Sequence, residues 1–282
     1  MAQCFSPFRV KNTSKDRFSQ NLMVEVPCGK CVNCINRKAA QWGFRLMQEV
    51  KRSTSACFLT FTYDDQNLKF SENGYPTLYK KDYQDFVKRL RKKHTTSNKE
   101  NRIKYYAVGE YGDDTHRPHY HAIMFNLPKN YITNIAPLND VWQNGFIHFG
   151  NVKAESIRYV TGYMNKEATD YTYGINDDRA KQFSIMSKNI GDNWLTPAMI
   201  DYYRSRKSIT IVKENGELMS MPRYYKQKIF NQLELNIINK DMQAIFDEDF
   251  TTLVNKTHDR HEHVRALIRK NNINKQLKRK TI

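Results

Sequence analysis

The chain has little glycine, proline or cysteine and a shortage of acidic residues, and each shortage excludes something. Eleven Gly and 8 Pro among 282 residues, beside 15 Phe, 17 Tyr and 39% hydrophobic residues, exclude a low-complexity or disordered basic chain. No apolar run approaches the roughly 18 residues of a membrane span. The start, MAQCFSPFRVKN, has no uninterrupted apolar stretch of the signal-peptide kind, so neither membrane integration nor ordinary secretion is expected. The 5 cysteines are odd in number. Three of them, in Cys28-Gly-Lys-Cys31-Val-Asn-Cys34, lie too close together for a secreted disulfide framework, which points to a reducing cytoplasm. Asp+Glu at 29 against Lys+Arg at 46 leaves a net charge of +17, so the first partner to expect is a polyanion, and nucleic acid heads that class.

Apolar periodicity organises the rest. Ile35, Trp42, Leu46 and Val50 recur at helical spacing among Arg37, Lys38, Arg45, Lys51 and Arg52, predicting a basic amphipathic helix from Ile35 to about Arg52. The β-branched and aromatic run from Cys57 to Tyr63 predicts a strand, and Thr77 is a candidate cap for a helix through Tyr83, Phe86, Val87 and Leu90. Ile103 to Glu110 and His119 to Phe125 read as two strands of a hairpin, followed by a short strand from Phe146 to Phe149 and a helix from Ala154 to about Lys166. Beyond Asp170 the pattern weakens into a loop-rich stretch as far as Tyr203. A strand at Ile209 to Val212, helices after Pro222 and a strongly cationic end follow.

The hairpin carries the chemistry. His119 and His121 stand two residues apart on a strand, so both imidazoles project from one face and can grip one metal. If Asp113 to His116 form the loop, antiparallel pairing sets Glu110 opposite His119 and adds a carboxylate to that face. Two imidazoles and a carboxylate leave open positions for substrate oxygens on Mg²⁺ or Mn²⁺, with the nitrogen ligands favouring Mn²⁺. The bland reading is an ordinary hairpin carboxylate beside two packed histidines. His261-Glu262-His263 repeats the spacing in helical surroundings, where i and i+2 diverge, and reads as a solvated face.

Tyr159, Tyr163 and Lys166 fall on one helical stripe downstream of this hairpin. A phenol there could attack a metal-polarised phosphate, with the lysine stabilising the developing charge. Spacing alone does not nominate a nucleophile, since Tyr75, Tyr79 and Tyr83 repeat it, and the bland reading is a pair of core tyrosines. Cys28, Cys31 and Cys34 have zinc-ligand spacing, and Cys4 can supply a fourth thiolate. The alternative is a set of free thiols.

Three motifs occur in order: Phe58-Leu-Thr-Phe-Thr-Tyr63, Arg117-Pro-His-Tyr-His-Ala122 and Tyr159-Val-Thr-Gly-Tyr163-Met-Asn-Lys166. Together they resemble the HUH endonucleases, and in particular the replication initiation proteins of small circular single-stranded-DNA phages of the microvirus group, gokushovirus type. Pro27-Cys-Gly-Lys-Cys-Val-Asn-Cys34 resembles the phage proteins specifically. One departure is Gly162, where better-known microvirus initiators have lysine, so that Lys166 has to serve as the cation alone.

The resemblance implies an α+β fold, with a central antiparallel sheet of HUH (RRM-like) type flanked by helices. A small Cys-rich amino-terminal segment (1–55), an endonuclease core (56–170) and a helical, basic carboxy-terminal extension (171–282) are the expected parts. It also implies rolling-circle chemistry. A tyrosine cuts single-stranded origin DNA, stays on the 5′ phosphate and frees a 3′ hydroxyl for a host polymerase working with a host helicase, in the cytoplasm of a bacterial host. The competing reading is a zinc-stabilised nucleic-acid-binding protein without catalysis. A hydrolytic nuclease is a third. Arg265, Arg269, Lys270, Lys275, Lys278, Arg279 and Lys280 are candidates for phosphate contact or for a merely solvated helix.

Overall fold

A computed structural model of the protein describes residues 4–11, 23–94, 96, 98, 101–162, 176–213, 215–239 and 241. Tyr163, Lys166, the 261–263 group and the carboxy-terminal cations lie outside the described residues. The chain divides into two compact units, Met1–Met199 with Thr210–Pro222, and Ile200–Ile209 with Arg223–Ile282.

In the first unit, strands β1 (Phe8–Lys11) and β2 (Met23–Val26) pair antiparallel and lead to helix α1 (Val32–Arg52). Then come β3 (Ala56–Tyr63), α2 (Lys80–Lys93), β4 (Lys104–Tyr111), β5 (Pro118–Phe125), the short helices α3 (Lys129–Thr133) and α4 (Ala136–Trp142), β6 (Gly145–Asn151), α5 (Ala154–Gly162) and β7 (Phe183–Met186). Helix α6 (Pro197–Ser205), strands β8 (Thr210–Val212) and β9 (Leu218–Ser220) and helix α7 (Arg223–Ile229) complete the described elements. Five strands form one antiparallel sheet in the order β6-β3-β5-β4-β7, which makes the fold α+β with helices flanking an antiparallel sheet. In the second unit, Tyr203, Tyr225 and Ile229 are buried and Arg204 Nε donates to the Ile229 carbonyl at 3.1 Å.

Strand alternation sends successive side chains to opposite faces, and each face has its own core. On one, Leu59, Phe61, Tyr120, Ala122 and Met124 pack with Tyr83, Phe86 and Leu90 of α2 and Trp142 of α4. Phe61 lies edge-on to Tyr83, Phe86 and Trp142 with centroids 4.8–5.3 Å apart, the arrangement aromatic quadrupoles favour. The Trp142 indole N–H donates to the Thr62 carbonyl at 3.0 Å, so this large side chain is buried without an orphaned polar atom. On the other face Tyr106, Val108, Ile123 and Phe125 pack with Leu46 of α1 and with Ile157 and Val160 of α5. This second core covers only part of its face. The remainder is where the polar residues of β3, β4 and β5 stand.

Several elements differ from the sequence expectation. Helix α2 starts at Lys80, with Tyr79 rather than Thr77 at its N-cap and no side-chain cap bond. Thr77 is committed elsewhere: its hydroxyl accepts from the Ala180 N–H at 2.9 Å. The stretch read as loop between 170 and 203 contains β7, which pairs with β4, and most of α6. Neither carries a long periodic signal; β7 is four residues long and owes its conformation to the strand beside it. Helix α1 begins at Val32, three residues before the first periodic position, with Cys31 as its N-cap.

Gly145 opens β6 against β3 with φ of +144°, and a Cβ there would sit 2.4 Å from the Thr62 carbonyl oxygen and 2.5 Å from the Asp64 nitrogen. Backbone atoms locked in a sheet cannot move aside. We expect Gly145→Ala to cost about 1–3 kcal/mol, read as a lower urea midpoint, through overpacking and a disfavoured φ. An unchanged midpoint would contradict this packing.

Candidate metal centres

The first centre is built by the β4–β5 register. Glu110 pairs directly with His119 and Val108 with His121, so the carboxylate and both imidazoles emerge on the same face. Between the two histidines, Tyr120 points to the opposite face and is fully buried, its hydroxyl 2.8 Å from that of Tyr63 and donating to the Tyr79 carbonyl at 2.9 Å. A one-residue slip would drive this anchored tyrosine out and the imidazoles into the core.

Glu110 Oε1 lies 2.8 Å from His119 Nε2 and 2.9 Å from His121 Nε2, and Glu110 is 3% exposed. The far nitrogens are held as well. His119 Nδ1 is 3.0 Å from the Arg117 carbonyl and His121 Nδ1 is 2.9 Å from Thr60 Oγ1. A carbonyl only accepts, so His119 carries its proton on Nδ1, and in the neutral ring Nε2 presents a lone pair to the carboxylate. Lone pair against carboxylate is repulsive unless a proton or a metal cation stands between them. Burial pushes the Glu110 carboxyl up, but the bonded imidazoles outweigh it and hold the group down at about 2, so the carboxylate is charged. Its second oxygen, Oε2, is buried with no hydrogen-bond partner, a costly arrangement that a cation would relieve.

These residues therefore fit a divalent ion. Ligand atoms about 2.1 Å from a six-coordinate centre lie about 3 Å apart, close to the separations already present. The ring orientation by Thr60 and a backbone carbonyl is the outer-shell support that metal-bound histidines use. Phe58 stacks on His121 at 5.4 Å and 17° between planes, closing one side.

Tyr159 reaches this cluster from α5. Ile157 and Val160 bury one side of the helix, so Arg158 and Tyr159 face outward, and Tyr159 Oη comes to 3.4 Å from His121 Nε2. Its ring lies edge-on to those of His121 and Phe58, and the residue is 47% exposed. The structure thus brings together Glu110, His119, His121 and Tyr159. Sequence reading gave Thr60 and Phe58 no role of their own, although the alternation of β3 opposite His121 signalled that both share the histidine face.

The second centre is cysteine-rich. Cys4, Cys28, Cys31 and Cys34 place their sulfurs within 4.8 Å of one another, and all four thiols are free. The Cys28 N–H donates to Cys4 Sγ at 3.2 Å and the Cys31 N–H to Cys28 Sγ at 3.3 Å. Burial pushes the Cys34 thiol up to about 12. For Cys31 burial acts the same way, but backbone and neighbouring hydrogen bonds outweigh it and bring the thiol to about 6. Four sulfurs this close cannot all ionise without a cation among them. Cys57, the fifth, is buried in the core.

A family model for phage replication-associated proteins of the ORF2 type matches residues 56–168. The chain is 32% identical over 221 residues to replication-associated protein VP4 of Bdellovibrio phage phiMH2K, covering 71% of this chain and 66% of that protein. It is 28% identical to replication-associated protein ORF2 of Spiroplasma virus 4, covering 72% of this chain and 67% of that protein. Replication-associated protein ORF4 of Chlamydia phage 1 is 25% identical over 82% of this chain and 58% of its own length. The chain therefore spans about two thirds or less of the relatives it matches. Among the described residues no helix is long and apolar enough to cross a membrane.

Thr60 offers a direct test of the first centre. With its hydroxyl replaced in Thr60→Val, His121 loses its Nδ1 partner while the strand keeps its shape, and we expect Mn²⁺ affinity to fall about 10- to 100-fold in a calorimetric titration. Equal affinity would remove Thr60 from the account.

Proposed function

Because the chain belongs to the phage replication-associated proteins, we propose that it is a rolling-circle initiator that nicks and rejoins single-stranded origin DNA through a 5′-phosphotyrosine intermediate. The observation that carries this reading is the phenol of Tyr159 3.4 Å from His121 Nε2, beside a buried carboxylate with an unsatisfied oxygen. A nucleophile and a site for a phosphate-polarising cation share one open patch of sheet.

In this reading Glu110, His119 and His121 hold Mn²⁺ or Mg²⁺, the nitrogen ligands favouring Mn²⁺. When bound, the ion polarises the scissile phosphate and stabilises the charge that builds on it. Tyr159 Oη attacks phosphorus, the P–O3′ bond breaks, and the phenolic proton ends on the departing 3′ oxygen. One phosphodiester becomes one phosphotyrosine ester and one 3′ hydroxyl, so the ester energy is kept and rejoining needs no other energy source. A free phenol, with a pKa near 10, is a weak nucleophile at neutral pH, which is why the cation has to lie within reach of the same oxygen.

Tyr163, one helical turn on, is the second nucleophile of the scheme, and Lys166 is its cation; both lie outside the described residues. The freed 3′ hydroxyl is a primer for a host polymerase, with a host helicase opening the duplex ahead, in the bacterial cytoplasm. The net charge of +17 supplies affinity spread over many phosphates. A purely DNA-binding protein would share that charge, but it has no use for a buried carboxylate facing two imidazoles and a half-exposed phenol.

Incubation with single-stranded origin oligonucleotides, with Mn²⁺ or EDTA, and denaturing gels tests the reading. A Mn²⁺-dependent covalent protein–DNA band is expected; cleavage without it would mean a metal-activated water, and no cleavage a binding protein. His119→Ala and His121→Ala should each slow adduct formation by about 10³-fold or more while leaving most DNA affinity, because the cation acts on the transition state and affinity is distributed. Parallel loss of binding and cutting in folded variants would count against the assignment. Tyr159→Phe and Tyr163→Phe should each retain some adduct and fail to close circles, with the double variant inert. If either single variant lost every adduct, the enzyme would be a one-tyrosine nickase.

A further inference from the structure

The cysteine cluster is left over by this chemistry, yet it is geometrically the more complete of the two centres. In a tetrahedral tetrathiolate with metal–sulfur bonds of about 2.3 Å, sulfurs stand about 3.8 Å apart. Cys31 Sγ lies 3.9 Å from Cys4 Sγ, too far for a disulfide, and all four sulfurs fall within 4.8 Å. A polynuclear iron–sulfur core would hold its cysteines further apart, since iron and sulfide would stand between them. The backbone is shaped to the same end. Gly29 sits at φ +72° in the Cys28-Gly-Lys-Cys31 turn, the conformation glycine adopts without strain, and that turn aims the Cys31 N–H at Cys28 Sγ. Arg37 approaches Cys34 Sγ at 3.6 Å, a cation suited to offset the surplus charge of four thiolates.

The surroundings show what such a site is for. Strands β1 and β2 are four residues each, with Phe8 and Met23 half exposed or more, and a two-stranded pair of that kind is not stable by itself. Cys31 caps α1 without a side-chain cap bond, and Cys34 lies in its first turn, where the helix dipole favours thiolates. Further along, α1 meets α5. A Cβ on Gly43 would lie 3.9 Å from Ile157 Cγ2, and Leu46 is buried with Ile157 and Val160. Residues 157 and 160 flank Tyr159.

We propose that Cys4, Cys28, Cys31 and Cys34 hold one structural zinc ion, and that this ion braces α1 and, through it, the helix that presents Tyr159. The cysteines are positioning residues; none touches the reacting atoms. The zinc assignment stands without the nicking reaction, whereas its consequence for catalysis rests on the function proposed above.

The test starts from full-length protein purified without chelator, dialysed and analysed for metals. About one zinc per chain is expected, retained in a His119→Ala/His121→Ala variant and lost in Cys28→Ser and Cys31→Ser. Cobalt exchanged into the wild type should give the intense visible bands of a tetrahedral thiolate centre. No tightly bound metal, or zinc lost with the histidines instead of the cysteines, would overturn the site. Hydrogen exchange then reads the brace: zinc removal should speed exchange in 32–52 and 154–162 and leave 56–63 and 118–125 protected. Unchanged exchange at 154–162 would overturn the brace. Zinc removal should also slow adduct formation about tenfold or more with oligonucleotide affinity unchanged. If no preparation forms an adduct, the nicking reading fails, and zinc content and exchange still decide this proposal.

Discussion

The antiparallel register of β4 against β5 is the constraint on which the rest of the site depends. Pairing Glu110 with His119 places a carboxylate between two imidazoles, and the period of two in a strand brings His121 to the same face without further design. That register is enforced from behind. Tyr120, fixed by Tyr63 and the Tyr79 carbonyl within an aromatic core of Phe61, Tyr83 and Trp142, cannot change faces without dismantling that core. The polar side of the sheet is held in place by the apolar side.

The two faces therefore have different tasks. One is filled by α2 and α4 and provides stability; the other is covered only in part, by α1 and α5, and leaves a polar patch open to solvent at the end of the helix pair. Burial of Glu110 beside that opening makes its ionised oxygens costly to leave unpaired, and the same burial strengthens any charge interaction made there. Tyr159 borders the patch because Ile157 and Val160 on its own helix are committed to the second core. Packing, not a contact of its own, sets where the phenol stands.

Much of this was legible in the sequence because it depends on local counting. The hairpin loop fixed the pairing of Glu110 with His119, and alternation did the rest. Cys28, Cys31 and Cys34 announced themselves by spacing, whereas the 24-residue reach to Cys4 is a matter of tertiary structure. What could not be read is what neighbours decide: β7 takes its conformation from β4, Thr77 gives up its helix cap to bond the Ala180 N–H, and Thr60 gains a role only when β3 is laid beside His121. Buried Glu49 is of the same kind. It joins Arg52, Lys104 and the Gly191 N–H from three distant segments, and nothing in its own helix foretells that.

The central claim is that Glu110, His119 and His121 jointly hold one divalent ion. Mn²⁺ bound to the full-length protein can be examined by pulsed electron paramagnetic resonance, which detects nitrogen nuclei directly bonded to the ion. The account predicts coupling to two imidazole nitrogens, reduced to one in either single histidine variant. A Mn²⁺ signal with no coupled nitrogen, or one indifferent to both substitutions, would contradict it.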